Sequence, residues 1–291
     1  MSDKKSFAVI GGDMRQIRLA NALLADGYPV KVFGFDGDVE YLHIPVSESL
    51  SEALAGARII ILPLPITSAN GFVNTPLCKD EIELNTLLEN LNKNQILMAG
   101  KIDEAAKTLI DIHGIYAVDY FMREELSVLN AELTAEGGIQ IALNELPIAL
   151  CGSSCLVIGF GRIGKLLCKM LSGMGANVCA AARKPEAFAW IDSFGYQRCH
   201  TDSLKDEIGR FDVVFNTVPY PLLDMDVLSS TNQDVLIIDL ASKPGGVCLE
   251  AAKQLGRKTI WALSLPGRIA PVSAGDIIKH TVLNICKELG V

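Results

Sequence analysis

The 291-residue sequence predicts an α/β protein with two doubly wound parallel-sheet domains. Short apolar runs alternate with amphipathic segments along both halves of the chain, and this pattern is typical of βαβ units. Glycine-rich turns also follow an apolar run twice, at residues 11–12 and 159–164, as though each half opened its own sheet. The length is sufficient for two separate hydrophobic cores.

The first half contains one predicted helix, from about Arg15 to Asp26, among five apolar runs that predict strands. These runs are Phe7 to Ile10, Val30 to Phe33, Arg58 to Leu62, Ile96 to Met98 and Tyr116 to Val118. Ligands of parallel sheets bind at the carboxyl ends of the strands, so this edge of the first sheet is expected to face a substrate.

The middle of the chain predicts a crossover helix over residues 130–143, with Thr134 or Asn130 near its start and Pro147 as a stop signal. The last segment, after Pro271, predicts an amphipathic helix with Ser273 as its cap, packed back on the first domain. The domains are therefore expected to comprise residues 1–130 with 271–291, and residues 131–270.

The second half opens with an apolar strand that ends at Ile158 and runs into the pattern G-x-G-x-x-G. Gly159 would make the tight turn, Gly161 would admit a pyrophosphate and Gly164 would let the next helix pack closely, as in a Rossmann dinucleotide site. The alternative is a glycine turn that binds no ligand. Further strands are predicted at Asn177 to Ala182, Val213 to Asn216, Leu236 to Leu240 and Thr259 to Ala262.

The strand ending at Ala182 is followed by Arg183 and Lys184, where an NAD-binding domain usually carries a carboxylate for the ribose hydroxyls. Two cations suit the additional phosphate of NADP, so the sequence favours NADP over NAD. The alternative is a solvated basic turn.

The glycine turn of the first half, Gly11-Gly12-Asp13, breaks the dinucleotide spacing. Asp13 would repel a pyrophosphate, so this half is interpreted as a nucleotide-type fold that no longer binds a nucleotide.

Composition excludes several other classes of function. The net charge of -8 argues against nucleic acid as the main partner. The eight cysteines form no C-x-x-C pair and only four histidines are present, so neither a metal site nor a disulfide framework is expected. No apolar run has membrane-spanning length, and residues 1–5 do not begin a signal peptide, so a cytoplasmic location is expected.

Five motifs together resemble the family of dipicolinate synthase A subunits. They are Gly11-Gly12-Asp13 with Arg15-Gln16, Thr134 to Gly137, Gly159 to Gly164, Asp239 to Gly246, and Leu265 to Pro271. The resemblance covers the whole chain. It departs from the family pattern at Leu133, Lys243 and Arg268, and Lys243 replaces a common arginine.

The resemblance implies a fold like that of two-domain 2-hydroxyacid and alanine dehydrogenases, with a cleft between the domains. It implies NADP-linked oxidation of dihydrodipicolinate, or a related small dicarboxylate, to dipicolinate (pyridine-2,6-dicarboxylate). The expected setting is the mother cell of a sporulating bacterium, where the partner would be the flavoprotein B subunit.

Such a substrate needs groups that bind its two carboxylates. Arg15 is the first candidate, and the amides near Thr134 are the second; the alternatives are an exposed arginine and a plain helix cap. The complete set of expected substrate residues is Gly12, Asp13, Arg15, Gln16, Thr134, Lys243 and Ser273.

A proton acceptor is not identified by the sequence. Glu136 and His280 are weak candidates, because a glutamate in a first helical turn commonly pairs with the helix dipole and His280 falls on a polar helix face. The sequence therefore assigns no catalytic residue, and the identity of the proton acceptor is unknown.

The expected cofactor residues lie at strand ends of the second half and in the fingerprint. They are Gly159, Phe160, Gly161, Arg162, Ile163, Arg183, Lys184, Asn216, Thr217, Val218, Pro219, Asp239, Leu240, Ala241, Ser242 and Pro271. The alternative for the strand ends is ordinary turn chemistry.

Two other functions remain open. One is a regulatory or scaffold protein that binds NADP without turnover, and the other is a generic 2-hydroxy- or amino-acid dehydrogenase. A homodimer is expected by analogy with the dehydrogenases.

Overall fold

A computed structural model of the chain describes residues 5–36, 39–68 and 71–291. The chain divides into two compact units, which we call the first domain (Met1–Leu129 with Ala270–Val291) and the second domain (Asn130–Ile269). Each contains one parallel sheet, which confirms the predicted class of two Rossmann-like α/β domains. Residues 1–4, on which part of the localisation argument rests, lie outside the described residues.

The first domain is built on five parallel strands in the order β2-β1-β3-β4-β5. They are β1 (Phe7–Ile10), β2 (Val30–Phe33), β3 (Ile59–Ile61), β4 (Ile96–Ala99) and β5 (Tyr116–Asp119). Every residue of β1, β3 and β4 is buried, because helices or loops cover both faces of the sheet. That burial explains why these strands are continuous apolar runs in the sequence.

Four helices of the first domain follow its strands. They are α1 (Met14–Ala25), α2 (Leu50–Leu54), α3 (Leu84–Glu89) and α4 (Glu104–His113). Asp13 caps α1 and Asp103 caps α4, each by accepting a backbone N–H of the first turn.

One continuous helix, α5 (Glu124–Glu145), leads from the first domain into the second. The prediction that Thr134 or Asn130 lies near a helix start is therefore wrong. Both residues lie in the interior of α5, where the Thr134 hydroxyl donates to the Asn130 carbonyl oxygen over 2.8 Å instead of capping an N–H. No proline or glycine interrupts residues 124–136, so nothing in the sequence ends the helix between them.

The second domain has a six-stranded parallel sheet in the order β11-β10-β9-β6-β7-β8. Its strands are β6 (Ser154–Ile158), β7 (Asn177–Ala182), β8 (Gln197–His200), β9 (Val213–Asn216), β10 (Leu236–Asp239) and β11 (Lys258–Trp261). Its helices are α6 (Arg162–Gly173), α7 (Pro185–Ser193), α8 (Leu204–Glu207), α9 (Met225–Ser229), α10 (Leu249–Gln254) and α11 (Leu265–Ile269). This strand order is that of a dinucleotide-binding Rossmann domain, with the crossover point between β6 and β9.

The last helix, α12 (Pro271–Glu288), returns to the first domain. Ala270 is its N-cap and Pro271 its first residue, so the predicted capping role of Ser273 is wrong. Proline is favoured at that first position because its missing N–H would have no partner there. Arg18 of α1 pairs with Asp276 of α12 at 2.9 Å, which fixes the two helices against each other.

Two negative observations apply to the described residues. No helix among them is both long and apolar enough to cross a membrane. All eight cysteines are free thiols, five of them buried.

Candidate functional site

The dinucleotide fingerprint follows β6 as a tight turn. Gly159 has a φ of +96°, which favours glycine, and its N–H donates to the Ala181 carbonyl oxygen over 2.9 Å. A β-carbon on Gly159 would contact the Thr217 hydroxyl, and one on Gly164 would overlap the Gly159 carbonyl oxygen. Both glycines are therefore required by the packing of the turn against its neighbours.

Gly161 is different, because a β-carbon there would meet nothing within 4 Å. It is the exposed N-cap of α6, and no side chain caps that helix. Without a side-chain cap, this helix start suits an external anion, because the helix dipole favours negative charge there. This part of the chain fits the pyrophosphate of a dinucleotide.

The remaining fingerprint side chains have separate positions. Phe160 and Ile163 pack into the core of the second domain, whereas Arg162 is exposed at the first position of α6.

Arg183 and Lys184 lie at the end of β7 and are both exposed. Lys184 is the N-cap of α7, and its ammonium lies 3.8 Å from the Glu186 carboxylate. The Arg183 guanidinium has no ion-pair or hydrogen-bond partner among the residues that the structure describes. A cation at this strand end is left to pair with a ligand anion.

Asn216 and Asp239 end two adjacent strands, β9 and β10, and are in register with each other. Both side chains are buried, at 0% and 1% exposure, and the Asn216 amide Nδ2 donates to Asp239 Oδ1 over 2.7 Å. The backbone N–H groups of Ala241 and Gly246 also donate to the Asp239 carboxylate, over 3.1 and 2.8 Å. The polar atoms of both side chains therefore make hydrogen bonds inside the protein. The expected contact of Asn216 and Asp239 with the cofactor stays a prediction.

The residues that follow these two strands form the adjacent loops. The Thr217 hydroxyl donates to the Ile158 carbonyl oxygen over 2.8 Å, and Val218 and Pro219 continue toward the surface. Leu240 and Ala241 are buried, whereas Ser242 and Lys243 are exposed.

Trp261 was not expected from the sequence to take part in this region. Its indole N–H donates to the Ala241 carbonyl oxygen over 3.0 Å, which ties the end of β11 to the loop after β10. An isolated tryptophan at a strand end gives no signal of such a contact in a single sequence.

The glycine turn of the first domain is closed by the chain itself. The Gly12 N–H donates to the Asn74 carbonyl oxygen over 2.9 Å, and a β-carbon on Gly11 would lie 2.5 Å from the Thr75 methyl group. Asp13 and Gln16 form a capping box, in which Asp13 accepts from the Arg15 N–H and Gln16 accepts from the Asp13 N–H. The start of α1 therefore has its anion-binding groups occupied.

Arg15 is held in place beside that turn. Its Nε and Nη2 donate to the Asp13 carboxylate, and Nη2 also donates to the Leu64 carbonyl oxygen. The side chain is 14% exposed, so the predicted carboxylate-binding arginine is oriented by neighbours of the first domain.

A buried tyrosine lies in the same region of the first domain. The Tyr120 hydroxyl donates to the Leu62 carbonyl oxygen over 2.9 Å. Burial raises the pKa of the Tyr120 phenol, so this group is a neutral hydrogen-bond donor over the whole physiological pH range.

The remaining predicted substrate and catalytic residues are not gathered by any one domain. Glu136 is exposed on α5 and is not in a first helical turn, which corrects the expectation of a dipole partner. His280 and Ser273 are exposed on α12, and Thr134 lies within α5. In the described part of the chain, no group of three or more His, Cys, Asp and Glu side chains is arranged to hold a metal ion.

Comparison with known families agrees with this geometry. Residues 129–250 match the family described as the D-isomer specific 2-hydroxyacid dehydrogenase, NAD binding domain. Residues 6–121 match the family described as the N-terminal domain of the dipicolinate synthase A subunit. The fold and its fingerprint thus define a protein of the dehydrogenase type, with a domain for a nicotinamide dinucleotide.

Similarity over the full chain narrows this class. The dipicolinate synthase A subunit of Bacillus subtilis (strain 168) is 30% identical over 287 residues, which cover 97% of this chain and 96% of that protein. We conclude that the chain belongs to the family of dipicolinate synthase A subunits, which confirms the resemblance seen in its motifs.

Two crystal structures support the same assignment. The A chain of dipicolinate synthase from Bacillus subtilis is 29% identical with a TM-score of 0.89, over 100% of this chain and 98% of that one. The dipicolinate synthase A subunit from Bacillus halodurans is 26% identical with a TM-score of 0.87, over 97% and 98% of the two chains.

Proposed function

We propose that this protein oxidises dihydrodipicolinate to dipicolinate with NADP as the hydride acceptor, during spore formation. The unpaired Arg183 guanidinium at the end of β7 is the observation that carries the choice of NADP over NAD. A guanidinium forms charge-assisted, bidentate hydrogen bonds with phosphate, and the 2′-phosphate is the group that distinguishes NADP from NAD.

The start of α6 and Gly161 fit the pyrophosphate of a dinucleotide. The uncapped start of α6 offers N–H groups to the pyrophosphate, and the absence of a side chain at Gly161 lets the phosphates approach. The bound nicotinamide would supply hydride-acceptor chemistry; the chain supplies position and electrostatics.

The substrate class rests on the family and on the first domain. Nη1 of Arg15 makes no hydrogen bond within the described part of the chain, so it is left for a substrate carboxylate while Asp13 holds the other edge of the guanidinium. In the reaction, a ring C–H bond breaks, its electron pair leaves as hydride, and a proton passes to an acceptor as the pyridine forms. The gain of aromaticity favours product, so binding and orientation are the protein's main task.

The proposal includes a homodimer, a location in the mother-cell cytoplasm and a partnership with the flavoprotein B subunit. The second candidate function, an NADP-binding regulatory protein without turnover, is favoured by one observation. Glu136 and His280 are both exposed on helix surfaces, and neither has a neighbour in the described part of the chain that would hold it as a proton acceptor.

The test is reduction of NADP+ and NAD+ by the purified full chain, with dihydrodipicolinate generated in place and dipicolinate followed by its absorbance. Dipicolinate formed in step with NADPH supports the dehydrogenase. Binding of NADP+ without turnover, with or without added flavoprotein, supports the regulatory role. Turnover of 2-hydroxy or amino acids instead indicates a generic dehydrogenase.

A further inference from the structure

We propose that Asp239 is a positioning residue which, together with Asn216, holds the loops after β9 and β10 in the form that accepts the nicotinamide half of the cofactor. It does not itself touch the cofactor. The proposal deepens the proposed function and rests on it, since it requires a nicotinamide dinucleotide in the second domain.

The Asp239 carboxylate organises the loop after β10, residues 240–247. Oδ1 accepts from the Ala241 N–H over 3.1 Å, and Oδ2 accepts from the Gly246 N–H over 2.8 Å. One carboxylate thus binds backbone N–H groups near both the start and the end of the loop. Gly245 has a φ of +84°, and a β-carbon there would lie 2.9 Å from Asp239 Oδ2, so the loop is wrapped closely around the carboxylate.

The Asn216 amide organises the loop after β9, residues 217–223. Its Oδ1 accepts from the Val218 N–H over 3.1 Å, and its Nδ2 donates to the Val218 carbonyl oxygen over 3.0 Å. The same Nδ2 donates to Asp239 Oδ1, so the two loops share one hydrogen-bonded pair at their base.

The two loops also contact each other directly. The N–H groups of Leu222 and Leu223 both donate to the Gly246 carbonyl oxygen, at 3.2 and 3.0 Å. A β-carbon on Gly246 would collide with the Asn216 amide and lie 2.6 Å from the Val218 carbonyl oxygen. Displacing either loop therefore displaces both.

The chemistry requires a carboxylate at position 239 and not an amide. Three N–H donors converge on the two oxygens, and a carboxylate only accepts. An asparagine has one acceptor oxygen, so its NH2 group would face an N–H donor on one side and leave that donor buried without a partner.

The loops after β9 and β10 lie at the edge of the sheet where a dinucleotide is expected to bind. Asn216 is in register with Ile158 of β6 and with Asp239 of β10, so both loops leave the sheet at the same level as the fingerprint turn. In a Rossmann sheet, the ligand lies along this carboxyl edge, from the β7 end that holds the adenosine toward the β9 and β10 ends. A direct contact between Asp239 and a ribose hydroxyl is opposed by its 1% exposure.

The experiment compares two ligands of the full chain by calorimetry: NADP+ and adenosine 2′,5′-bisphosphate, which carries only the adenosine half. In Asp239→Asn we expect NADP+ affinity to fall by about tenfold or more, whereas the affinity for the bisphosphate stays within about twofold. Gly246→Ala should likewise weaken NADP+ binding and leave binding of the bisphosphate within about twofold. This substitution inserts a methyl group into the same pair of loops, and Gly246 does not have a left-handed φ.

The matched control is Thr231→Val, in the segment that precedes the amino end of β10 in the same domain. The buried Thr231 hydroxyl donates to the Leu228 carbonyl oxygen and accepts from Arg257 Nε, so the variant loses buried hydrogen bonds without touching the loops. Both ligands should bind this variant as they bind the wild type.

Wild-type NADP+ affinity in Asp239→Asn would overturn the proposal, and so would an equal loss of both ligands in the two variants. If Asp239→Asn does not fold, Gly246→Ala decides by the same criterion. Failure of the wild type to bind either ligand would instead refute the proposed NADP function.

Discussion

A β-carbon at Gly164 would overlap the carbonyl oxygen of Gly159, five residues earlier in the fingerprint turn. The first turn of α6 is therefore packed directly on the backbone of the β6–α6 turn. Because a β-carbon on Gly159 would also meet the Thr217 hydroxyl of the loop after β9, the turn is closely packed on two sides. No side chain at position 164 is compatible with this packing.

We predict that Gly164→Ala destabilises the second domain by about 1–3 kcal/mol and weakens dinucleotide binding, because overpacking forces the helix away from the turn. Gly173→Ala, in the same helix, is the control, since a β-carbon there meets nothing within 4 Å. Urea unfolding and NADP+ titration measure the two effects. Equal behaviour of the two variants would show that the turn accommodates the methyl group.

We predict that replacing both Arg183 and Lys184 by Ala weakens NADP+ binding by roughly tenfold to a hundredfold and leaves NAD+ binding nearly unchanged. The reason is that only NADP carries the phosphate that these cations are expected to pair with. Lys205→Ala is the control, because this exposed lysine pairs with Asp226 on another part of the domain. Unchanged discrimination between the two dinucleotides would remove the argument for NADP.

We predict that Asp13→Ala destabilises the first domain by about 1–2 kcal/mol, because α1 loses its N-cap and Arg15 loses its partner. Asp13→Asn should cost less, since an amide oxygen still accepts the Arg15 N–H. The comparison is made by urea unfolding of both variants. Equal losses would mean that the ion pair and not the cap supplies the stability.

We predict that Arg123→Met destabilises the protein at neutral pH and that the difference from wild type becomes smaller as the pH is lowered from 7 to roughly 3, through and below the ordinary carboxyl range. Arg123 donates to both Glu288 oxygens over 2.6 Å and to Glu125 over 3.0 Å, and these hydrogen bonds lower the pKa of both carboxyl groups. A lowered carboxyl pKa stabilises the folded state above the unfolded-state pKa, and this contribution is lost as pH falls through the folded-state pKa.

The control for this titration is Lys79→Met, because the Lys79 side chain is 88% exposed and its ammonium lies 3.9 Å from Asp36. We expect thermal unfolding to show no difference from wild type at either pH. A constant difference between Arg123→Met and wild type from pH 7 to pH 3 would contradict the assignment of the effect to Glu125 and Glu288.

The central strands were predicted from sequence because burial on both faces makes them continuous apolar runs. Strand β8 was missed for the opposite physical reason: it is an edge strand, and Gln197 and Arg198 face solvent. The start of α5 was misplaced because Asn130 and Thr134 are residues that favour helix caps, whereas here the threonine hydroxyl bonds one turn back within the helix.

The candidate site also contains some features that local sequence indicates and others that depend on the tertiary structure. The fingerprint glycines and the pair Arg183-Lys184 could be proposed from sequence because the cofactor role expected of them depends on local spacing along the chain. The bond between Asn216 and Asp239 joins residues 23 positions apart, and only the register of β9 and β10 brings them together. Closure of the first glycine turn by Asn74 likewise depends on a distant loop, and nothing in a single sequence reports it.

The return of the chain to the first domain after Ile269 has a consequence for biosynthesis. The second domain is one continuous run, so it can fold as soon as it has left the ribosome. The first domain, whose sheet begins at Phe7, must wait for α12 to cover α1, where Gly275 fits closely against the Arg15 backbone. The domain that is synthesised first is thus completed last, and a chain that stops short of α12 is left with an unfinished first domain beside a finished second one.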